Sequence, residues 1–307
     1  MSSPFGEMRI IVNPRAGRGA VGRALPPLER ALEARGLAYH VARTEGPGHA
    51  IRLAREALES GTRFVVAVGG DGTVHEVVNG MMADDGPVNP DAVLGVVAAG
   101  SGCDFARTFD LPRDFERIAE YLGGTKTRRI DVGRVRFVDK AGAQGARWFP
   151  NIADVGYGSE STALAQRLPR SLGRAVYLIA AWATLARFRP ERVTITMDSD
   201  TYEGKMNHLA VANCKFFGGG MKVAPNAIPD DGLLDVSVFD GHRSDMIFKA
   251  HKIFKGSHVP HPNIREYRSV RVEIKAASPM LVEADGEILG YTPAVFDLVP
   301  NALTLKV

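Results

Sequence analysis

The chain has 307 residues, 45% apolar and 24% charged, with 38 Lys and Arg against 35 Asp and Glu for a formal net charge of +3. That composition suits an ordinary globular protein with a sizeable core and room for two domains. A charge this small, with no basic run, excludes a nucleic-acid arm, and two cysteines, Cys103 and Cys214, exclude a disulfide framework or a zinc site of cysteines alone.

The N-terminus "MSSPFGEMRIIVNP" lacks the charged start and apolar run of a signal peptide, and the thiol count fits a reducing compartment, so a cytoplasmic protein is expected. "RIIVN" reads as a first strand, followed by a glycine-rich loop and a helix near Val21 to Arg35. "LAYHVAR" is a second strand, and "GHAIRLAREALES" sets Ala50, Leu53, Ala54, Ala57 and Leu58 on one helical face. "RFVVAV" and "AVLGVVAA" are continuous apolar runs, the pattern of parallel strands covered on both faces. Residues 1–130 therefore read as a doubly wound parallel α/β domain, whose ligands belong at the carboxyl ends of the strands.

From 131 to 307 the texture changes. "RRIDVGRVRFV", "RVTITMDS", "HLAVAN", "LLDVSVF", "SVRVEIKA", "PMLVEA" and "NALTLKV" are short and often alternating, as in an antiparallel sandwich or barrel. One helical stretch, Ser159 to Phe188, interrupts them; its longest apolar run, Ala175 to Ala186, is too short to span a bilayer.

Three strand ends in the first domain carry small, flexible loops: "NPRAGRG" from Asn13, "GGDGT" over Gly69 to Thr73, and "AAGSGCDFAR" from Ala98. Bare backbone N–H groups there, each beside a helix start, would cradle a phosphorylated ligand; each loop alone also reads as a tight turn. "GRGAVG" matches the dinucleotide fingerprint only in form, since four residues separate it from the strand and no acid ends the second strand. There is no G-K-[ST] for a Walker loop.

"GGDGT" followed by "EVVNG", with "NPRAGRG" before and "GSGCDFAR" after, resembles the diacylglycerol kinase catalytic domain of the bacterial lipid kinases, a family related to sphingosine kinases and more distantly to NAD kinases and phosphofructokinases. "TEGPGHAIRLA", "APNAIPDDGLLDV" and "EADGE" extend the resemblance over nearly the whole chain. It implies an N-terminal α/β domain and a C-terminal antiparallel β-sandwich with the nucleotide in the cleft between them, and an ATP- and Mg²⁺-dependent lipid kinase of phospholipid metabolism. Asn13, Thr44, Gly69, Gly70, Gly72, Thr73, Gly100 and Ser101 would then surround ATP. Asp71 cannot attract phosphate as one anion to another, so it is read as organising Mg²⁺, against the alternative of a helix cap.

Asp285–Gly286 in "MLVEADGEIL" reads from the residues as a hairpin turn; the resemblance makes Asp285 the general base and Glu287 a charged partner beside it. Asp231–Gly232 likewise reads as a turn, while the resemblance implies a structural Mg²⁺ held by Asp231 and the carbonyls of Ile228 and Leu233. Two departures bear on the acceptor: Ser101 and Cys103 replace the usual Thr and Asn, and Gly158 in "GYGSE" replaces an acid.

Arg170, Arg174, Arg187, Arg189 and Arg192 flank an apolar helix carrying Tyr177, Trp182 and Phe188, either a membrane-facing element or a core helix with solvated ends. "FFGGGMKVAP" offers apolar residues to line a cleft, and "HVPH" reads as surface histidines. The expected partners are ATP, a lipid substrate and a membrane surface; a homodimer is left open. The rival functions are a soluble-metabolite kinase of the NAD kinase type and a nucleotide-binding regulatory protein without turnover.

Overall fold

A computed structural model describes residues 3–99, 103–169, 175–241 and 250–307. They form two compact units, Met1–Val132 with Val299–Val307, and Gly133–Leu298.

The first unit runs β1 (Met8–Val12), α1 (Ala20–Ala34), β2 (Tyr39–Arg43), α2 (His49–Glu59), β3 (Phe64–Gly69), α3 (Asp71–Met81), a short hairpin β4 (Met82–Ala83) and β5 (Gly86–Pro87), β6 (Val93–Ala98), α4 (Asp104–Thr108) and α5 (Phe115–Gly123). Strands β2, β1, β3 and β6 are neighbours in that order and parallel, with Met8 opposite Phe64 and Phe64 opposite Val93. All of β3 is buried, as its unbroken apolar run requires. Helices supply the cover: α1 buries Val21, Leu25, Leu28 and Leu32. Helix α2 buries mainly alanines, and a Cβ on Gly80 of α3 would fall 2.3 Å from the Ile51 carbonyl oxygen, so small residues on both sides let these helices touch.

The second unit contains β7 (Thr127–Val138, which enters from the first), β8 (Gln144–Phe149), β9 (Ile152–Gly156), α6 (Tyr157–Arg167), α7 (Ala175–Arg187), β10 (Glu191–Met197), β11 (Thr201–Met206), β12 (His208–Ala212), β13 (Leu234–Phe239), α8 (Ala250–Lys255), β14 (Ile264–Ser269), β15 (Arg271–Ala276), β16 (Leu281–Ala284) and β17 (Glu287–Lys306). One run of antiparallel neighbours is β14, β13, β12, β9, β16 and the start of β17; another is β11, β10, β15 and the middle of β17. Their inward side chains, among them Val155, Val211, Val236, Ile274, Val282 and Phe296, make one core. The helical stretch expected over Ser159 to Phe188 is two helices, α6 and α7, packed through Ala165, Val176 and Ala180; Arg170 and Arg174 lie outside the described residues.

The fold classes are those indicated by the sequence pattern. The chain expected to stay in the second domain to its end instead returns: Thr304 and Leu305 of β17 pair in parallel with Val93 and Leu94 of β6. "NALTLKV" has the alternation of a sandwich strand, and its parallel pairing with β6 within the first unit is not encoded locally.

Candidate active site

In the first unit the loops expected to bind nucleotide share one sheet edge, because parallel strands all end there. The residue after each strand donates its N–H to a neighbouring strand end: Thr44 to Val12 at 2.9 Å, Asn13 to Val68 at 3.4 Å, and Ala99 to Gly69 at 3.2 Å. The Asn13 side chain turns back to accept the N–H of Arg15 at 3.2 Å. Gly17, Arg18 and Gly19 follow with φ of 57°, 58° and 80°, three left-handed residues in a row, which explains the glycines on either side of Arg18. At Gly69 a Cβ would fall 2.3 Å from the Thr73 Oγ1, so the strand-to-helix turn closes only over a bare backbone. Gly100 and Ser101 lie outside the described residues.

Helix α3 uses its acids on its neighbours. Asp71 accepts the N–H groups of Asp104 and Phe105, each at 3.0 Å, which caps α4. Glu76 accepts those of Gly48 at 2.9 Å and Ala50 at 3.0 Å, which caps α2. The helix-cap alternative for Asp71 thus exists, but on a helix other than its own. Cys103, wholly buried beside Asp71, has its thiol pushed up by burial and then by the Asp71 charge. Asp104 is buried and lies 3.4 Å from Arg107 Nε.

In the second unit Asp285 and Gly286 form the two-residue link between β16 and β17, with φ of 49° and 92°, the hairpin geometry that favours Asp–Gly. The turn is held from several directions. The Asp285 N–H donates to the Ile152 carbonyl at 2.9 Å. Its Oδ1 accepts the N–H groups of Asn151 at 3.2 Å and Ile152 at 3.0 Å. The Gly286 N–H goes to Glu283 Oε1 at 2.8 Å, and its carbonyl accepts from Gln166 of α6 at 3.0 Å. Asp285 is 6% exposed, whereas Glu287 points to solvent.

The residues around Asp231 fit a divalent cation poorly. Its Oδ1 accepts the Leu233 N–H at 3.1 Å, and its Oδ2 is ion-paired with Arg268. Arg268 also lies 4.0 Å from Asp235, whose carboxyl burial pushes up to about 6. A guanidinium thus already lies against both acids, and the Ile228 side chain is exposed. Among the described residues no group of three His, Cys, Asp or Glu is arranged to hold a metal ion. Asp71 fits better: its carboxylate offers hard oxygens at the loop edge, although both already accept backbone N–H groups.

The sequence reading missed a polar cluster behind the Asp285 turn: Glu283, Asp154, Ser159 and His208, all buried. It also placed both histidines of "HVPH" at the surface. His258 is 2% exposed, with Nε2 3.2 Å from the Val223 carbonyl, because its ring stacks on Phe239.

Comparison with known proteins matches residues 7–135 to the diacylglycerol kinase catalytic domain and residues 151–307 to the YegS C-terminal NAD kinase beta sandwich-like domain. The chain is 30% identical to a Bacillus subtilis (strain 168) protein named diacylglycerol kinase, over 94% of this chain and 92% of that one. A Mycobacterium tuberculosis (strain ATCC 25618 / H37Rv) protein of the same name is 31% identical, over 97% and 94% of the two chains. A crystal structure from Bacillus anthracis str. Sterne shares the fold, with a TM-score of 0.74 at 24% identity over 99% and 98%.

Proposed function

The chain belongs to the diacylglycerol kinase catalytic-domain family, and on that premise we propose that it is a lipid kinase, transferring the γ-phosphoryl group of ATP to the hydroxyl of diacylglycerol or a related lipid. ATP is assigned to the loop edge of the first unit, with Asn13, Thr44 and the Gly69–Thr73 turn around it; Gly100 and Ser101 are assigned to ATP from the family resemblance alone. The acceptor's proton is assigned to Asp285. The hydroxyl oxygen bonds to the γ-phosphorus, the bond to the bridging oxygen breaks to release ADP, and the proton passes to the carboxylate. Mg²⁺ bound with ATP would neutralise charge on the phosphates, with Asp71 the residue to hold it.

The observation that carries this reading is the clamp on Asp285. A hairpin turn needs no carboxylate anchor, yet two amides fix Oδ1 and so orient the whole carboxylate. Such fixing suits a base that must meet one hydroxyl in one geometry. Glu287, exposed at the start of β17, is assigned to orienting the acceptor.

We also assign the lipid approach to α7. Ile179 and Trp182, 42% and 52% exposed, are three residues apart on one helix face, and Arg187 and Arg189 are exposed beyond it. Apolar and aromatic groups beside cations suit an anionic bilayer surface. No described helix is long and apolar enough to cross a membrane.

The test is labelled ATP with Mg²⁺ and a panel of lipids, NAD or no acceptor. Label in a lipid, lost in D285N, supports the reading. Label in NAD would instead make the protein a soluble-metabolite kinase, and ATP binding without product a regulatory protein. In the same assay, I179A/W182A is expected to lose roughly tenfold activity on anionic vesicles while keeping it on a short-chain soluble acceptor. Equal loss on both would overturn the membrane assignment.

A further inference from the structure

Glu283 lies directly opposite Asp154 across β16 and β9, at a register shift in β16. The two are 0% and 2% exposed. Helix α6 covers them: Ser159 donates its hydroxyl to Asp154 Oδ1 at 2.5 Å, and the Thr162 hydroxyl faces Glu283. His208 of β12 also lies here; its Nδ1 accepts the Gly158 N–H at 3.3 Å, and burial lowers its pKa against the opposing pull of Asp154. Among the described residues no Lys or Arg is ion-paired with either acid, and two carboxylates buried opposite each other on paired strands strongly disfavour both being ionised.

Glu283 Oε1 accepts the N–H of Gly286, but the buried Oε2 has no hydrogen-bond donor directed at it. A proton on Oε2, directed at Asp154, resolves both the repulsion and the unpaired oxygen with one hydrogen bond. Burial first, then the Asp154 charge, raise the Glu283 carboxyl well above the ordinary carboxylate range, in agreement with this arrangement.

We propose that Glu283 is a positioning residue for the Asp285–Gly286 turn and works as a neutral acid, its proton on Asp154 and its other oxygen on the Gly286 N–H. The inference rests on the reading of Asp285 as proton acceptor. Glu283, wholly buried, acts by holding the turn that carries the base.

Glutamine reproduces both bonds, with its NH₂ directed at Asp154 and its carbonyl accepting from Gly286. E283Q is therefore expected to keep kcat within about twofold and to retain activity at alkaline pH where the wild type, losing the shared proton, declines. E283L removes both bonds and is expected to lower kcat by roughly tenfold or more, with the KM for ATP nearly unchanged. Wild-type kcat in folded E283L, or a loss in E283Q as large as in E283L, would overturn the proposal. Infrared spectroscopy gives a readout that needs no turnover and covers the case in which E283L fails to fold. A carboxylic-acid C=O band should be present at neutral pH in the wild type and in D285N and absent in E283Q; its absence from the wild type overturns the proposal. D285N turning over like the wild type would overturn the base reading, and the infrared band separates that failure from this one.

Discussion

At Gly158 a Cβ would lie 2.6 Å from His208 Cε1 and 2.9 Å from Asp154 Oδ2. The family resemblance implies an acid at that position, and here the space is filled by a buried imidazole and a buried carboxylate from two strands. G158A is expected to lower the unfolding free energy by about 1–3 kcal/mol, read from the urea midpoint at constant slope; an unchanged midpoint would mean the His208 ring swings aside at no cost. Lys306 makes the second residue-level test. Buried in the first unit, it donates to the carbonyls of Lys126 and Val307, and its pKa is lowered from 10.5 to about 8, by burial first and the Lys126 charge second. A depressed folded pKa means stability that is present above 10.5 and lost as pH falls through about 8. The wild type should therefore gain stability relative to K306M as pH rises across that window, and parallel curves for the two proteins would refute it. The Asp285–Gly286 turn was legible in the sequence as a hairpin link. Glu283 was not: between the core residues Val282 and Ala284, alternation alone reads it as pointing to solvent.

At the scale of elements, α3 joins the first unit together through its acids as much as its apolar face. Asp71 and Glu76 cap α4 and α2, so one helix satisfies orphan amides at the starts of two others. E76A removes two charge-assisted bonds and is expected to cost about 1–2 kcal/mol. Hydrogen exchange should locate the loss at the first turn of α2, and uniform destabilisation without local change at Gly48–Ala50 would argue against the cap. The helix start itself could be read from "GGDGT" and its following periodicity. The partners of its carboxylates could not, because residues 48–50 and 104–105 reach them only through the packing of separate βα units.

For the whole molecule, the chain leaves the first unit at Val132 and re-enters it at Val299. The returning segment pairs with β6, buries Leu303 and Leu305, and meets Arg129, whose guanidinium donates to Thr304 Oγ1 at 2.9 Å. A fragment of residues 1–132 is accordingly expected to lack a cooperative thermal transition, and joining 299–307 to it by a short linker to restore one, as followed by circular dichroism. A cooperative melt from 1–132 alone would show the returning strand to be dispensable. From the sequence by itself came the βα alternation of the first unit, the short alternating strands of the second, the glycine loops at strand ends and the Asp–Gly turn, since backbone periodicity and turn geometry are written in local residue choice. The tertiary structure alone decided that the last strand serves the first unit, that Asp71 and Glu76 cap other helices, that Arg268 occupies the acids at 231 and 235, and that Glu283 and Asp154 are buried together. These depend on which surface covers which, a free-energy balance of desolvation and pairing between residues far apart in the chain.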